Sequence, residues 1–122
     1  MAALRVLLVD DEVEFLEPTA ARLARRGVEC TTATSGEAAL AALGKGAFDC
    51  AIVDVRMPGM DGLELLRRMR REWPQVSVVL LTGHASVELG VQGMALGAFD
   101  YLLKPVEVDD LLEIVWRAGR RL

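Results

Sequence analysis

No segment of this sequence has the length or character needed to cross a membrane or be exported across one. No apolar stretch approaches the roughly 18 residues that a bilayer core demands. Residues 1–5 lack a positively charged lead into an apolar core with a small-residue cleavage site, and the run at 4–9 is too short to be that core. Polar low-complexity runs are also missing, and 52% of the residues are hydrophobic, which excludes a disordered chain. Cysteine is scarce. Cys30 and Cys50 are the only two, without metal-ligand spacing, and read as reduced core residues. There is no excess of positive charge: 14 Lys and Arg face 18 Asp and Glu, a net charge of −4, which gives no support for nucleic-acid binding. The basic run Arg67, Arg68, Arg70 and Arg71 reads as a solvated helix face. The expectation is a soluble, cytoplasmic protein whose 122 residues suit one domain spanning 1–122.

What is present is an alternation. Strands are expected at 4–10, 28–33, 50–54, 77–82 and 98–103. Three of them contain unbroken apolar runs (Val6-Leu7-Leu8-Val9, Ala51-Ile52-Val53, Val78-Val79-Leu80-Leu81), as suits strands buried on both faces of a parallel sheet. Helical patterns fill the intervals. The segment 12–26 lines up Phe15, Leu16, Thr19, Ala20 and Leu23 on one stripe, with Pro18 expected to bend it. The segment 34–43 opens on Thr34-Ser35-Gly36-Glu37, which reads as a capping box. The segment 62–73 follows Asp61 as cap and stops before Pro74. The segment 85–96 ends at Gly97, suited to a left-handed closing residue, and 108–121 carries Leu111, Leu112, Val115 and Trp116. Such alternation implies an α/β fold with helices on both faces of a parallel sheet and right-handed crossovers.

In open α/β sheets, ligands bind beyond the carboxyl ends of the strands. The expected strand ends carry Asp10 and Asp11, Asp54, Thr82, and Lys104 with Pro105. Singly, each has an ordinary explanation, Asp11 as a helix cap being one. Together they describe clustered carboxylates that want a cation, a hydroxyl and an ammonium. Mg²⁺ takes oxygen ligands and is commonly held by one or two carboxylates plus a phosphate. A carboxylate can itself accept a phosphoryl group, and Mg²⁺, an ammonium and a hydroxyl would balance the charge on its oxygens.

The motifs Leu8-Val9-Asp10-Asp11-Glu12, Val53-Asp54-Val55-Arg56-Met57-Pro58-Gly59-Met60-Asp61-Gly62, Leu81-Thr82-Gly83-His84 and Asp100-Tyr101-Leu102-Leu103-Lys104-Pro105 resemble the receiver domain of two-component response regulators, in its order and spacing. The resemblance implies a flavodoxin-like (βα)5 three-layer sandwich with strand order 2-1-3-4-5. It makes Asp54 the phosphoacceptor, served by a sensor histidine kinase or phosphotransfer protein. It assigns the metal, Mg²⁺ or Mn²⁺, to Asp10, Asp11, Asp54 and the backbone carbonyl of Arg56. Thr82 and Lys104 would contact the phosphoryl oxygens, Thr82 and Tyr101 would form the switch pair, and the Lys104–Pro105 bond would be cis. Arg56 and His84, each two residues past a motif residue, would tune dephosphorylation, although an ordinary surface histidine is the simpler reading of His84. The fourth helix, fifth strand and fifth helix would face an output domain, a target or a second copy in a phosphorylation-dependent homodimer. The stretch 85–105 resembles receivers that precede transcriptional-activator modules, which favours a fragment of a longer regulator over a stand-alone receiver.

The competing classes fit less well. An aspartyl phosphohydrolase wants Asp-x-Asp-x-Thr/Val after the first strand, and Asp10-Asp11-Glu12-Val13 departs from it. A flavin carrier on the same topology wants uncharged donors there to cradle a phosphate. A receiver-like interaction module that never takes phosphate would have no use for the complete set. Two further features stand out. Gly90 and Gly93 each cost roughly 1 kcal/mol against Ala inside the fourth helix, read either as close packing on the sheet or as a softened switch element whose amides exchange faster than those of the fifth helix. Met57 and Met60 read as part of a tight loop, and Trp73 and Trp116 as cover for the edge of the core.

Overall fold

A computed structural model describes residues 3–120. In chain order the elements are β1 (Leu4–Val9), α1 (Val13–Arg25), β2 (Val28–Ala33), α2 (Gly36–Lys45), β3 (Cys50–Asp54), α3 (Gly62–Glu72), β4 (Ser77–Thr82), a 3-10 turn (His84–Ser86), α4 (Val87–Ala95), β5 (Asp100–Leu103) and α5 (Val108–Gly119). The five strands are parallel in the order β2-β1-β3-β4-β5.

The unbroken apolar runs behave as buried parallel strands do. Every residue of β3 and β4 is buried, and successive side chains serve opposite faces. Val6, Leu8, Cys50, Ile52, Val79 and Leu81 pack with Leu16 and Leu23 of α1 and Leu111 and Val115 of α5. Leu7, Val9, Ala51, Val53 and Leu80 pack on the other face with Ala39 and Leu43 of α2, Leu65, Leu66 and Met69 of α3, and Leu89 of α4. Trp73 and Trp116 are half-buried at the margins of these two clusters. Burial pushes the Cys50 thiol up to about 12, with help from Asp49, and the Cys30 thiol up to about 11, so both are protonated and unreactive at neutral pH.

Local departures have identifiable causes. The expected capping box at α2 shifts by one residue: Ser35 is the cap, accepting from Ala38 N at 3.0 Å, so Glu37 falls one place short of completing the box. Asp61 does cap α3, accepting from Glu64 N at 2.9 Å. Asp11 caps nothing, because α1 begins after Glu12, whose N–H is taken by Asp10 Oδ1 at 2.9 Å. α1 runs on through Pro18. The segment expected as a helix from residue 85 opens as a 3-10 turn, and the α-helix proper starts at Val87. It closes as foreseen on Gly97, at φ 104°, with Ala98 N bonding Gly93 O and Gly97 N bonding Met94 O, the two reverse bonds of a Schellman motif. The expected fifth helix reaches Gly119 here, and Arg121 lies outside the described residues.

The two glycines inside α4 face inward. A Cβ at Gly93 would collide with Leu80 Cδ1, and one at Gly90 would stand 2.8 Å from the Tyr101 ring. Close approach to the sheet explains both. Within the basic run, Arg70 is not simply solvated: its guanidinium donates to Pro74 O at 3.0 Å and Val76 O at 3.3 Å, tying α3 to the start of β4.

Candidate functional site

The carboxyl ends of β1, β3, β4 and β5 meet in one open cleft of about 400 Å³, lined by Asp11, Glu12, Asp54, Arg56, Gly83, Ala85, Ser86 and Lys104. Asp54 ends β3, the central strand, and is 7% exposed. Asp10, fully buried, follows β1, and its backbone N–H still bonds Ala33 O at 3.1 Å. Asp11 next to it is exposed. One carboxylate oxygen from each of the three lies within 4.8 Å of the others.

Lys104, just past β5, answers this negative charge. Its ammonium donates to Asp10 Oδ2 at 2.6 Å and Glu12 Oε1 at 3.3 Å, and stands 3.7 Å from Asp54 Oδ1. It also lies 4.5 Å from the centroid of the Phe15 ring, a favourable cation–π position. The Lys104–Pro105 peptide bond that follows is cis. Burial would lower the lysine pKa, but the hydrogen bond to Asp10 and the charges of Asp54 and Asp10 outweigh it, so the net shift is upward. Asp54 also shifts upward, above an ordinary aspartate. Burial pushes its pKa up to about 6, Lys104 pulls against this, and Asp10, Asp11 and Glu12 add to the rise. The carboxylate is thus still largely ionised at neutral pH, and more basic than a solvated one.

The donor set suits a hard divalent cation. An octahedral Mg²⁺ with oxygens at about 2.1 Å holds adjacent ligands about 3 Å apart and opposite ones about 4.2 Å apart. Three carboxylate oxygens inside 4.8 Å need little adjustment to share such an ion.

Thr82, wholly buried at the end of β4, is near this group but turned from it. Its Oγ1 bonds Ser86 O at 2.8 Å and Ser86 Oγ at 2.7 Å, with Gly83 O at 3.2 Å. Tyr101 is half-buried on β5, its ring laid against Gly90. Arg56 is exposed at the cleft rim, while His84, also exposed, is not among the lining residues. Three contributors carried no role in the sequence reading. Glu12 stands inside a motif but was given no task, Phe15 read as an apolar stripe residue, and Ser86 read as helix. Only Glu12 offered a signal, as a third consecutive carboxylate.

Among the described residues no helix is long and apolar enough to cross a membrane. A family model described as the response regulator receiver domain matches residues 6–116. The DNA-binding transcriptional regulator NtrC of Salmonella typhimurium is 39% identical over 113 residues, covering 93% of this chain and 24% of that protein. The transcriptional regulatory protein FixJ of Bradyrhizobium diazoefficiens is 37% identical over 116 residues, covering 95% of this chain and 57% of that protein. A receiver-domain crystal structure from Clostridium thermocellum superposes with a TM-score of 0.92 at 32% identity, covering 97% of this chain and 95% of that one. The chain therefore spans only about a quarter of the length of relatives such as NtrC.

Proposed function

This chain belongs to the response regulator receiver domain family of two-component systems, and from that premise we propose that it is a switch set by phosphorylation of Asp54. The observation that carries the reading is the cluster of Asp10, Asp11 and Asp54, with the Lys104 ammonium set against Asp10 and Asp54.

The chemistry follows from what each group offers. An Asp54 oxygen attacks the phosphorus of a phosphohistidine on a sensor kinase or phosphotransfer protein. The P–N bond breaks, its electron pair stays with the imidazole, and an acyl phosphate forms on the carboxylate. A pKa near 6 leaves most Asp54 ionised at pH 7, as a nucleophile must be. Mg²⁺, or Mn²⁺ in its place, would be held by Asp10, Asp11, Asp54 and the Arg56 carbonyl, and would supply positive charge to the transferring oxygens. Lys104 needs only a small excursion from Asp10 to meet a phosphoryl oxygen. Thr82 would donate to another once its hydroxyl turns, and Tyr101, seated on α4, would follow. Arg56 and His84 would govern how readily water reaches the phosphorus.

The unit extends over 1–122, acts in the cytoplasm and performs no chemistry beyond its own phosphorylation and dephosphorylation. Its α4–β5–α5 face would meet an output domain, a target or a second copy, since relatives such as NtrC are far longer than this chain. Neither a membrane nor nucleic acid is bound by this part of the molecule. A flavin carrier is disfavoured by three consecutive carboxylates at Asp10, Asp11 and Glu12, and no observation favours a phosphohydrolase.

Treatment with acetyl phosphate and Mg²⁺ should add the mass of one phosphoryl group, and Asp54→Ala should not gain it. Equal labelling of the variant would overturn the assignment.

A further inference from the structure

Ser86 occupies the N-cap position of α4, yet its side chain caps nothing. A serine there ordinarily accepts a hydrogen bond from the second or third N–H of the helix. Here the hydroxyl, in a residue 5% exposed, is turned inward onto Thr82. Each hydroxyl has one proton to donate. Either oxygen could donate across the 2.7 Å contact between them, but with the Thr82 proton given to Ser86 O at 2.8 Å, the Ser86 proton is the one left to fill it. Among the described residues the only other partner of Ser86 Oγ is Gly83 O at 3.4 Å, a poor one. The 3-10 turn that fixes this arrangement is itself closed by Ser86 N bonding Gly83 O at 3.1 Å. Two buried groups thus satisfy each other, and the first turn of α4 goes without its side-chain cap.

We infer that Ser86 is a positioning residue. Its hydroxyl holds Thr82 away from Asp54 in the resting protein. Thr82 cannot reach an oxygen on Asp54 without surrendering both bonds to Ser86, so Ser86 sets how readily the site engages a tetrahedral group. This rests on the reading of Asp54 as phosphoacceptor and Thr82 as its hydroxyl donor.

The test uses beryllofluoride with Mg²⁺, a tetrahedral mimic of a carboxyl-bound phosphoryl group, titrated into four forms: wild type, Ser86→Ala, Thr82→Ala and the double variant. A buried hydrogen bond contributes about 1 kcal/mol, so Ser86→Ala should tighten the apparent Kd roughly fivefold with Thr82 present. In the Thr82→Ala background the same change should have no effect. A shift of equal size in both backgrounds, or none in either, would overturn the role of Ser86. If wild type binds no beryllofluoride with Mg²⁺, the phosphoacceptor reading itself fails, and the inference with it.

Discussion

Gly62→Ala should be among the most damaging single-methyl additions this domain can receive, and the structure says by how much. Gly62 is the first residue of α3, and its N–H bonds Val55 O at 3.1 Å just beyond β3. A Cβ built there would stand 2.6 Å from Val55 Cα and 3.0 Å from the Asp54 carbonyl carbon, and would overlap the Asp54 carbonyl oxygen. These are backbone atoms of Asp54, the last residue of the fully buried β3, and of Val55 just after it, so no side chain can rotate out of the way. Restoring an ordinary 3.4 Å contact from 2.6 Å requires α3 to retreat by about 0.8 Å. That retreat stretches the Gly62–Val55 hydrogen bond and loosens Leu63, Leu65, Leu66 and Met69 in the core. Overpacking costs about 1–3 kcal/mol and a weakened hydrogen bond about 1 more. The lower chain entropy of alanine offsets about 0.4–1 kcal/mol. A net loss of about 1–3.5 kcal/mol follows. Urea unfolding followed by fluorescence of Trp73 and Trp116 would measure it. Gly44→Ala is the control, since Gly44 has nothing within 4 Å of the added methyl and should be neutral or stabilising. A Gly62→Ala loss below about 0.5 kcal/mol would refute the steric argument.

Other outcomes follow from the site. Asp54 titrates near 6, above the roughly 3.9 of a free aspartate, so its stabilising contribution is complete below about pH 4 and is lost as pH rises through 6. Metal-free Asp54→Asn should therefore exceed wild type by about 1–2 kcal/mol at pH 8 and match it near pH 4, and chemical unfolding that found equal stability at both would contradict the burial argument. Mg²⁺ at ten times its dissociation constant should stabilise wild type by about 1.4 kcal/mol. Asp11→Asn should lose most of that gain, and a thermal shift that survives the substitution would place the ion elsewhere. Arg56→Ala should shorten the lifetime of the acyl phosphate, because the exposed cation at the cleft rim shields it from water, and an unchanged decay rate would remove Arg56 from that role.

Much of this was legible in the sequence because buried parallel strands write themselves as unbroken apolar runs. β3 and β4, built around such runs, have the expected bounds and are buried throughout; β2 keeps its expected bounds without one. The strand ends then assembled most of the site, since parallel strands bring their carboxyl ends to one side of the sheet. The misreadings fall where no periodicity operates. Thr34 and Ser35 are equally good caps, and only the backbone selects Ser35. Ser86 was hidden because hydroxyl direction in a 3-10 turn has no sequence signature. Phe15 was hidden because a ring on an apolar stripe looks the same whether it covers leucine or a lysine ammonium.

The sheet order has a mechanical consequence. Asp54 lies on β3, which is flanked by β1 and β4 and cannot shift without breaking two ladders. Tyr101 and Lys104 belong to β5 and the turn after it, and β5 has only four residues and a single neighbour, β4. The receiving group is thus clamped at the centre, while the parts that report on it hang from the margin by one row of bonds. Displacement can accumulate at that margin while the interior keeps its shape. A perturbation that tightened β5 against β4 would be expected to mute the response without touching a single residue of the cleft.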